Sequence, residues 1–217
     1  MNARDLLDAF RSEVDDQEEP VLWTDEEIYG YIDNAQIRFC QLTDGIGDAS
    51  SAGVTQLPVV TAEDWVDISP LILKFRTAYR TSDGAPIQLV NAENLYGKGL
   101  RFDGRTGPLT TMIIGLEPAR VRVYPVPVAD DTIQLAVDRL PLLAIDKGQL
   151  ALEIANQHHI HLLKWAKHRA YSKQDSETRD DKKAADNKAD FEAYCFQAKL
   201  ERERAAYKPS TVAYGGI

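Results

Sequence analysis

Cysteine is nearly absent from this 217-residue chain: Cys40 and Cys195 are the only two. They stand far apart, without the paired spacing of a zinc site or of a secreted disulfide framework. A stapled scaffold is thereby excluded, and assembly in a reducing cytoplasm is expected. Long apolar runs are missing as well, so no segment reads as a transmembrane helix. The opening MNARDLLDAF turns acidic within a few residues and lacks the basic-then-apolar order of a signal peptide. Positive charge is in short supply: 25 Lys and Arg against 34 Asp and Glu leave a net charge of −9. On average such a chain repels a polyanion, which argues against a general nucleic-acid binder. What the chain does have is 44% hydrophobic residues, enough for one sizeable core or two small ones.

The negative charge is concentrated at one end. Residues 1–50 carry 13 acids and 3 bases, residues 51–150 carry 11 and 10, and residues 151–217 carry 10 and 12. A solvated helix face explains the acids most simply. The same asymmetry also suits head-to-tail contacts between identical subunits, where opposite fields meet at each joint.

Two helical patterns open the chain. Leu6, Leu7, Phe10 and Val14 fall at helical spacing and are followed by the acidic run Asp15 to Glu19 and Pro20. A second helix starts at Thr24, where Thr24 and Glu27 form the T-x-x-E capping box and Trp23 and Ile28 stand at the staple positions. Its apolar stripe, Ile28, Tyr31, Ile32, Ala35, Phe39 and Leu42, carries it to about Thr43, and Gly45 supplies the stop. GIGDASSAG, Gly45 to Gly53, reads as a loop.

Beyond it the period changes. Leu57 to Thr61, Leu71 to Thr81, Pro86 to Asn91, Leu109 to Leu116, Ala119 to Val126 and Thr132 to Leu140 read as strands, rich in β-branched residues. In ARVRVYPV, Val121, Val123 and Pro125 face one way while Arg120, Arg122 and Tyr124 face solvent or a partner. Asp130 and Asp131 mark a turn that sends this strand back into TIQLAVDRLPL as a hairpin. After Pro141 the helical period returns. One helix is expected over Gln149 to Tyr171, with Ile154, His158, Leu162, Trp165 and Ala166 on one side. A second, mostly polar helix is expected over about Glu177 to Ala206. The fold class is therefore α+β: a helical bundle made by both chain ends (residues 1–50 and 146–206), a central antiparallel β-rich domain (residues 51–145), and an extended C-terminal tail (residues 207–217).

Chemical signatures are sparse. GLRFDGRT, Gly99 to Thr106, approaches a phosphate loop, but Arg105 takes the lysine position and neither a buried strand nor a helix N-terminus flanks it; a glycine-rich connection is the expected role. All four histidines, His158, His159, His161 and His168, lie in HHIHLLKWAKH. His158 and His161 share a face at i and i+3, yet a catalytic zinc usually takes an i, i+4 pair with a glutamate between, and Glu153 lies off that face. Half-buried histidines with hydrogen-bond partners are the first reading, and a metal-dependent enzyme using His158, His161 and a carboxylate is the alternative. There is no G-x-S-x-G, both cysteines sit on apolar helix faces, and Asp15/Asp16, Glu26/Glu27 and Asp130/Asp131 each have an ordinary local reason. No catalytic residue, metal site or cofactor is assigned.

The order of segments is itself informative. LLDAFRSEVDD, then LWTDEEIYGYIDNAQIRFCQL, then a strand block ending IIGLEPARVRVYPVPVADDTIQLAVDRLPL, then HHIHLLKWAKHRAYSKQDSETRDDKKAADNKADFEAY resembles the head–tail adaptor (connector) proteins of tailed bacteriophages, the group that includes the podovirus tail-tube adaptors. The resemblance covers about residues 4–206 and rests on LW-[ST]-D-E-E opening a helix and on AY-x-K-x-D-x-E in the second helical pair. It implies a non-enzymatic virion protein, assembled in the bacterial host cytoplasm, that forms a homo-oligomeric ring, usually a dodecamer. Such a ring docks beneath the portal protein, presents a platform to the downstream tail or nozzle protein, and encloses a channel through which DNA passes without specific binding; no membrane is involved. A tail-side or stopper component of the same connector is the neighbouring alternative. In several members a C-terminal segment clasps the portal, and the matching residues here are Tyr207, Lys208, Pro209, Ser210, Thr211, Val212, Ala213, Tyr214, Gly215, Gly216 and Ile217. Tyr207, Pro209, Val212, Tyr214 and Ile217 are anchors suited to ordering on contact.

Overall fold

Local signals set the first helices. In the computed structural model, which describes residues 1–94, 104–174 and 178–206, helix α1 (Ala3–Val14) begins at a capping box the apolar spacing did not show. Asn2 accepts from the Asp5 N–H at 3.0 Å and donates its own N–H to the Asp5 carboxylate at 2.7 Å. Helix α2 (Asp25–Leu42) starts where Thr24 predicts: the Glu27 N–H donates to Thr24 Oγ1 at 3.3 Å and the Thr24 N–H to Glu27 Oε2 at 3.0 Å. Replacing Thr24 by alanine orphans one of these helix-end donors and is expected to cost about 1 kcal/mol in urea unfolding, against a few tenths for Thr24→Gly. The buried stripe of α2 keeps Ile28, Ile32, Ala35 and Phe39 of the expected one, while Tyr29, Gln36 and Cys40 turn inward in place of Tyr31 and Leu42.

The acidic run between the two helices is not simply solvated. Asp16 is buried, accepts from the Leu22 N–H at 2.7 Å and receives Arg11 at 2.8 Å, and Arg11 also donates to the Trp23 carbonyl at 2.9 Å and to Asp25 at 2.7 Å. One acid of the four thus pins the turn while the others face water. The buried Trp23 ring meets Phe10 and Tyr171 edge-on.

The single helix expected over Gln149 to Tyr171 is shorter. A 3-10 turn (Asn156–His161) leads into α4 (Leu162–Tyr171), and residues 149–155 are not α-helical. Side chains satisfy the backbone there instead. Asp146 accepts from the Gly148 and Gln149 N–H groups, Asp33 from Ile145, and Gln36 from Glu153, so bonds from Asp146 and from α2 compete successfully with a helix. Helix α5 (Asp181–Ala206) begins later than expected, because Asp180 accepts from the Lys183 N–H at 2.9 Å and caps it. Its buried face is Ala184, Phe191, Cys195 and Ala198. Helix α4 packs on α5 and on α2, and α1 packs on α2. Backbone contacts divide the chain into two compact units: Met1–Thr43 with Leu143–Ile217, and Asp44–Leu142.

The second unit holds β1 (Ile46–Asp48), the single-turn helix α3 (Ala52–Thr55), β2 (Gln56–Val59), β3 (Trp65–Asp67), β4 (Ile72–Arg80), β5 (Pro86–Asn91), β6 (Thr106–Gly107), β7 (Thr111–Glu117), β8 (Arg120–Tyr124), β9 (Val126–Pro127) and β10 (Asp131–Arg139). The main sheet runs β1-β10-β4-β5-β7-β8-β3, and β2 also pairs with β10. Because β2 and β3 are consecutive yet sit on β10 and β8, the chain joins the two ends of the sheet and the sheet curls on itself. Val121, Val123, Met112, Leu135 and Val137 fill its interior.

Two expectations are corrected here. The sheet is antiparallel except at β5–β7, which pair in parallel, as do β6 and β9; residues 92–110 give β5 and β7 the length a crossover needs. The β8–β10 hairpin does not form, since β8 lies between β7 and β3 while β10 pairs with β1, β2 and β4. Asp130 bonds Thr61 and Asp131 bonds Ser82, so these acids tie the start of β10 to loops beside other strands rather than closing a two-strand turn.

Candidate functional site

The C-terminal segment Tyr207 to Ile217 lies outside the described residues, and so does most of the glycine-rich stretch Gly99 to Thr106. The histidines are described in full, and each has a partner within the helical unit. His159 is buried, with Nδ1 2.8 Å from the Met1 carbonyl oxygen and Nε2 2.9 Å from that of Ile154. His158 Nδ1 bonds the Tyr194 hydroxyl at 2.9 Å, the His161 ring stacks on Tyr194 at 3.5 Å, and His168 Nδ1 donates to the Ala184 carbonyl at 2.9 Å. Tyr194 thus joins α5 to the 3-10 turn, a role its half-exposed place on a polar helix did not advertise. Among the described residues no three His, Cys, Asp or Glu side chains come together as a metal-binding group. His158 and His161 share a neighbour in Tyr194 and belong to no such group among the described residues.

Burial pushes His158, His161 and His168 below the ordinary imidazole value, outweighing the opposing pull of Glu201 on His158 and of Glu192 on His168. The unfolded chain therefore binds these protons first. Stability of the helical unit should be complete above about pH 6.5 and decline as pH falls below it, where unfolded histidines charge. A urea titration series across pH 7.5 to 5 checks this, and a flat profile contradicts it.

The two cysteines are both buried, and burial pushes the Cys195 thiol up to about 12, the state of a packing residue rather than a nucleophile. The outward arginines of β8 are also engaged. Arg120 Nε donates to Asp67 at 2.7 Å and Arg122 Nε to Asp64 at 2.7 Å, and the Arg122 guanidinium lies 5.7 Å from the centre of the Trp65 ring. Their partners belong to β3 and the residue before it, a strand of three residues too short to show a period in the sequence. Glu26 pairs with Lys147 and Glu27 with Lys173, while Arg139 meets Asp48 at 2.5 Å inside the sheet unit. A shallow cleft lined by Arg80, Ser82, Pro108, Val128 and Asp131 also lies in that unit, and its Arg80 is held by Asp83 at 2.6 Å.

Among the described residues, the polar side chains singled out in the sequence thus hold secondary structure together. The family model of the SU10 adaptor protein matches residues 1–213, and the chain belongs to that family. Membership makes it a phage adaptor, a structural component of the virion that meets portal and tail, in keeping with the resemblance read from the order of its segments. No curated protein matches the sequence. No helix among the described residues is long and apolar enough to cross a membrane.

Proposed function

We propose that the protein is the head-to-tail adaptor of a tailed phage. Identical subunits close into a ring, a dodecamer by family habit, that docks beneath the portal, continues the DNA channel and offers the platform for the next tail or nozzle protein. The observation that carries this reading is the family match along residues 1–213. In this reading residues 1–50 and 146–206 act as a helical bundle, residues 51–145 as the β-rich domain, and residues 207–217 as an extended tail. The ring assembles in the host cytoplasm and is carried in the virion at the head–tail interface. The net charge of −9 favours passage of DNA without adhesion, since contacts of DNA phosphates with Lys and Arg side chains supply most non-specific affinity.

The tail Tyr207 to Ile217 is the portal-contacting element, with Tyr207, Pro209, Val212, Tyr214 and Ile217 as its anchors. Deleting these eleven residues is expected to weaken binding to purified portal ring by at least about tenfold while leaving the melting temperature unchanged. Light scattering of the mixture and a thermal melt of the truncated chain measure the two quantities. The portal-facing assignment fails if the truncated chain binds as tightly as the full one.

A further inference from the structure

At one end of the sheet unit three strands lie side by side without further neighbours. Gly47 of β1 is opposite Asp138 of β10, and Asp138 is opposite Lys74 of β4. Strand β1 pairs only with β10, and β5 meets β4 only at Ala78 and Tyr79. Among the described residues, the outer edge of β1 and the edge of β4 over residues 72–77 therefore have no strand partner. Gly47, Lys74, Arg76 and Thr77 are exposed, and Leu73 is 41% exposed between the partly buried Ile72 and Phe75. Free edges of this kind are templates for pairing with another chain.

Direction and charge identify the occupant. Both β1 and β4 run antiparallel to β10, so they are parallel to each other and their free edges lie on opposite sides of one three-stranded end. A rotation about an axis along the strands preserves strand direction, and it brings β1 of a second copy beside β4 of the first without reversal. Two unlike edges of one chain meeting in this way make a heterologous contact that can close into a ring. Pairing β4 with another β4 sets Lys74 and Arg76 against their own kind, because residues 72–77 hold two bases and no acid. Residues 44–48 hold Asp44 and Asp48 and no base. Bulges at residues 73 and 76 of β4 further disfavour the like pairing. Arg76 is held by Asp138 and Asp48 by Arg139, which makes Lys74 the exposed cation of the free β4 edge.

We propose that β4 of one subunit pairs in parallel with β1 of a second copy of this chain, so that the sheet continues from subunit to subunit around the ring; this rests on the ring reading above. Hydrogen–deuterium exchange of the wild-type protein, isolated and in the assembled particle, tests it directly. Assembly is expected to slow exchange by at least about tenfold in peptides covering both residues 46–48 and residues 72–77, as new backbone bonds form. A second measurement uses Gly47→Cys combined with Lys74→Cys. Within one chain these positions flank β10 at two strand spacings, about 9.6 Å, beyond disulfide reach, so only copies can cross-link. A Cβ at Gly47 meets nothing closer than the Arg76 guanidinium at 3.8 Å, so the backbone accepts the change. The paired variant is expected to give a ladder of covalent multimers on a non-reducing gel, and each single variant none. Absence of the protein from the particle's connector overturns the ring reading and this proposal with it. A multimeric connector in which either edge exchanges as in the isolated chain, or an assembled paired variant that stays monomeric on the gel, overturns the strand pairing alone.

Discussion

Replacing Phe191 with alanine should lower the stability of the helical unit by about 3–5 kcal/mol, the cost of a large cavity in a packed core. Phe191 is fully buried and its ring lies 5.2 Å from that of Trp165 across the α4–α5 contact. The other buried residues of α5 are Ala184, Cys195 and Ala198, all too small to close the space a missing ring leaves. Helix α5 is otherwise polar, so one side chain supplies most of the apolar area that holds it. Phe196, only five residues further on, is 65% exposed and serves as the control: its alanine variant should fall within about 0.5 kcal/mol of the parent. Urea unfolding followed by tryptophan fluorescence separates the two. Equal effects at both positions contradict the packing of α5 through its Phe191 face.

The second large effect belongs to the sheet unit. Asp48 and Arg139 form an ion pair at 2.5 Å with side chains 4% and 7% exposed, and Asp48 also accepts from the Ser50 and Ser51 N–H groups at 2.8 and 3.1 Å. Asp48→Ala takes the carboxylate away from a buried guanidinium and leaves two amide donors without an acceptor, at a cost of about 3–5 kcal/mol. Burial alone raises the Asp48 carboxyl; the bonds from Ser51, Arg139 and Ser50 outweigh it and hold the group well below the usual carboxylate range. A depressed folded value means the contribution is complete above the unfolded value near 4 and is lost as pH falls through the folded one. Wild type and Asp48→Asn should therefore differ most above about pH 4 and converge as the solution is acidified. A difference that is constant down to pH 2 contradicts the charged pairing.

Much of the fold was legible because strong local signals agreed with the tertiary structure. The Thr24–Glu27 capping box placed α2 within a residue, and Pro86 to Asn91 matched β5 end to end. Strands β1 and β3 escaped detection for a physical reason: three residues cannot display a period of two, and GIGDASSAG has loop composition although Ile46 to Asp48 pairs with β10. The supposed β8–β10 hairpin failed because Asp130 and Asp131 carry an ordinary turn signature, while the neighbour of β10 is chosen by burial of the whole sheet. Residues 149–155 kept a helical apolar spacing, but the Glu153 N–H goes to Gln36 of α2, and that of Ile145 just before them to Asp33, partners that no local window contains. The histidine cluster was legible as a cluster, and its partners, Tyr194, Ala184 and the carbonyl of Met1, were not. Adaptor character was legible in the order of segments and is carried by the family match. The free edges of β1 and β4 depend on which strands pair, information that exists only once the sheet is assembled.

The central claim is tested most directly by mixing the purified full-length protein with its cognate portal ring and following the mixture by size-exclusion chromatography with light scattering, then by particle imaging. The account predicts a second ring added at one end of the portal, with its axis along the portal channel. A portal that elutes and images unchanged in the presence of excess protein contradicts it.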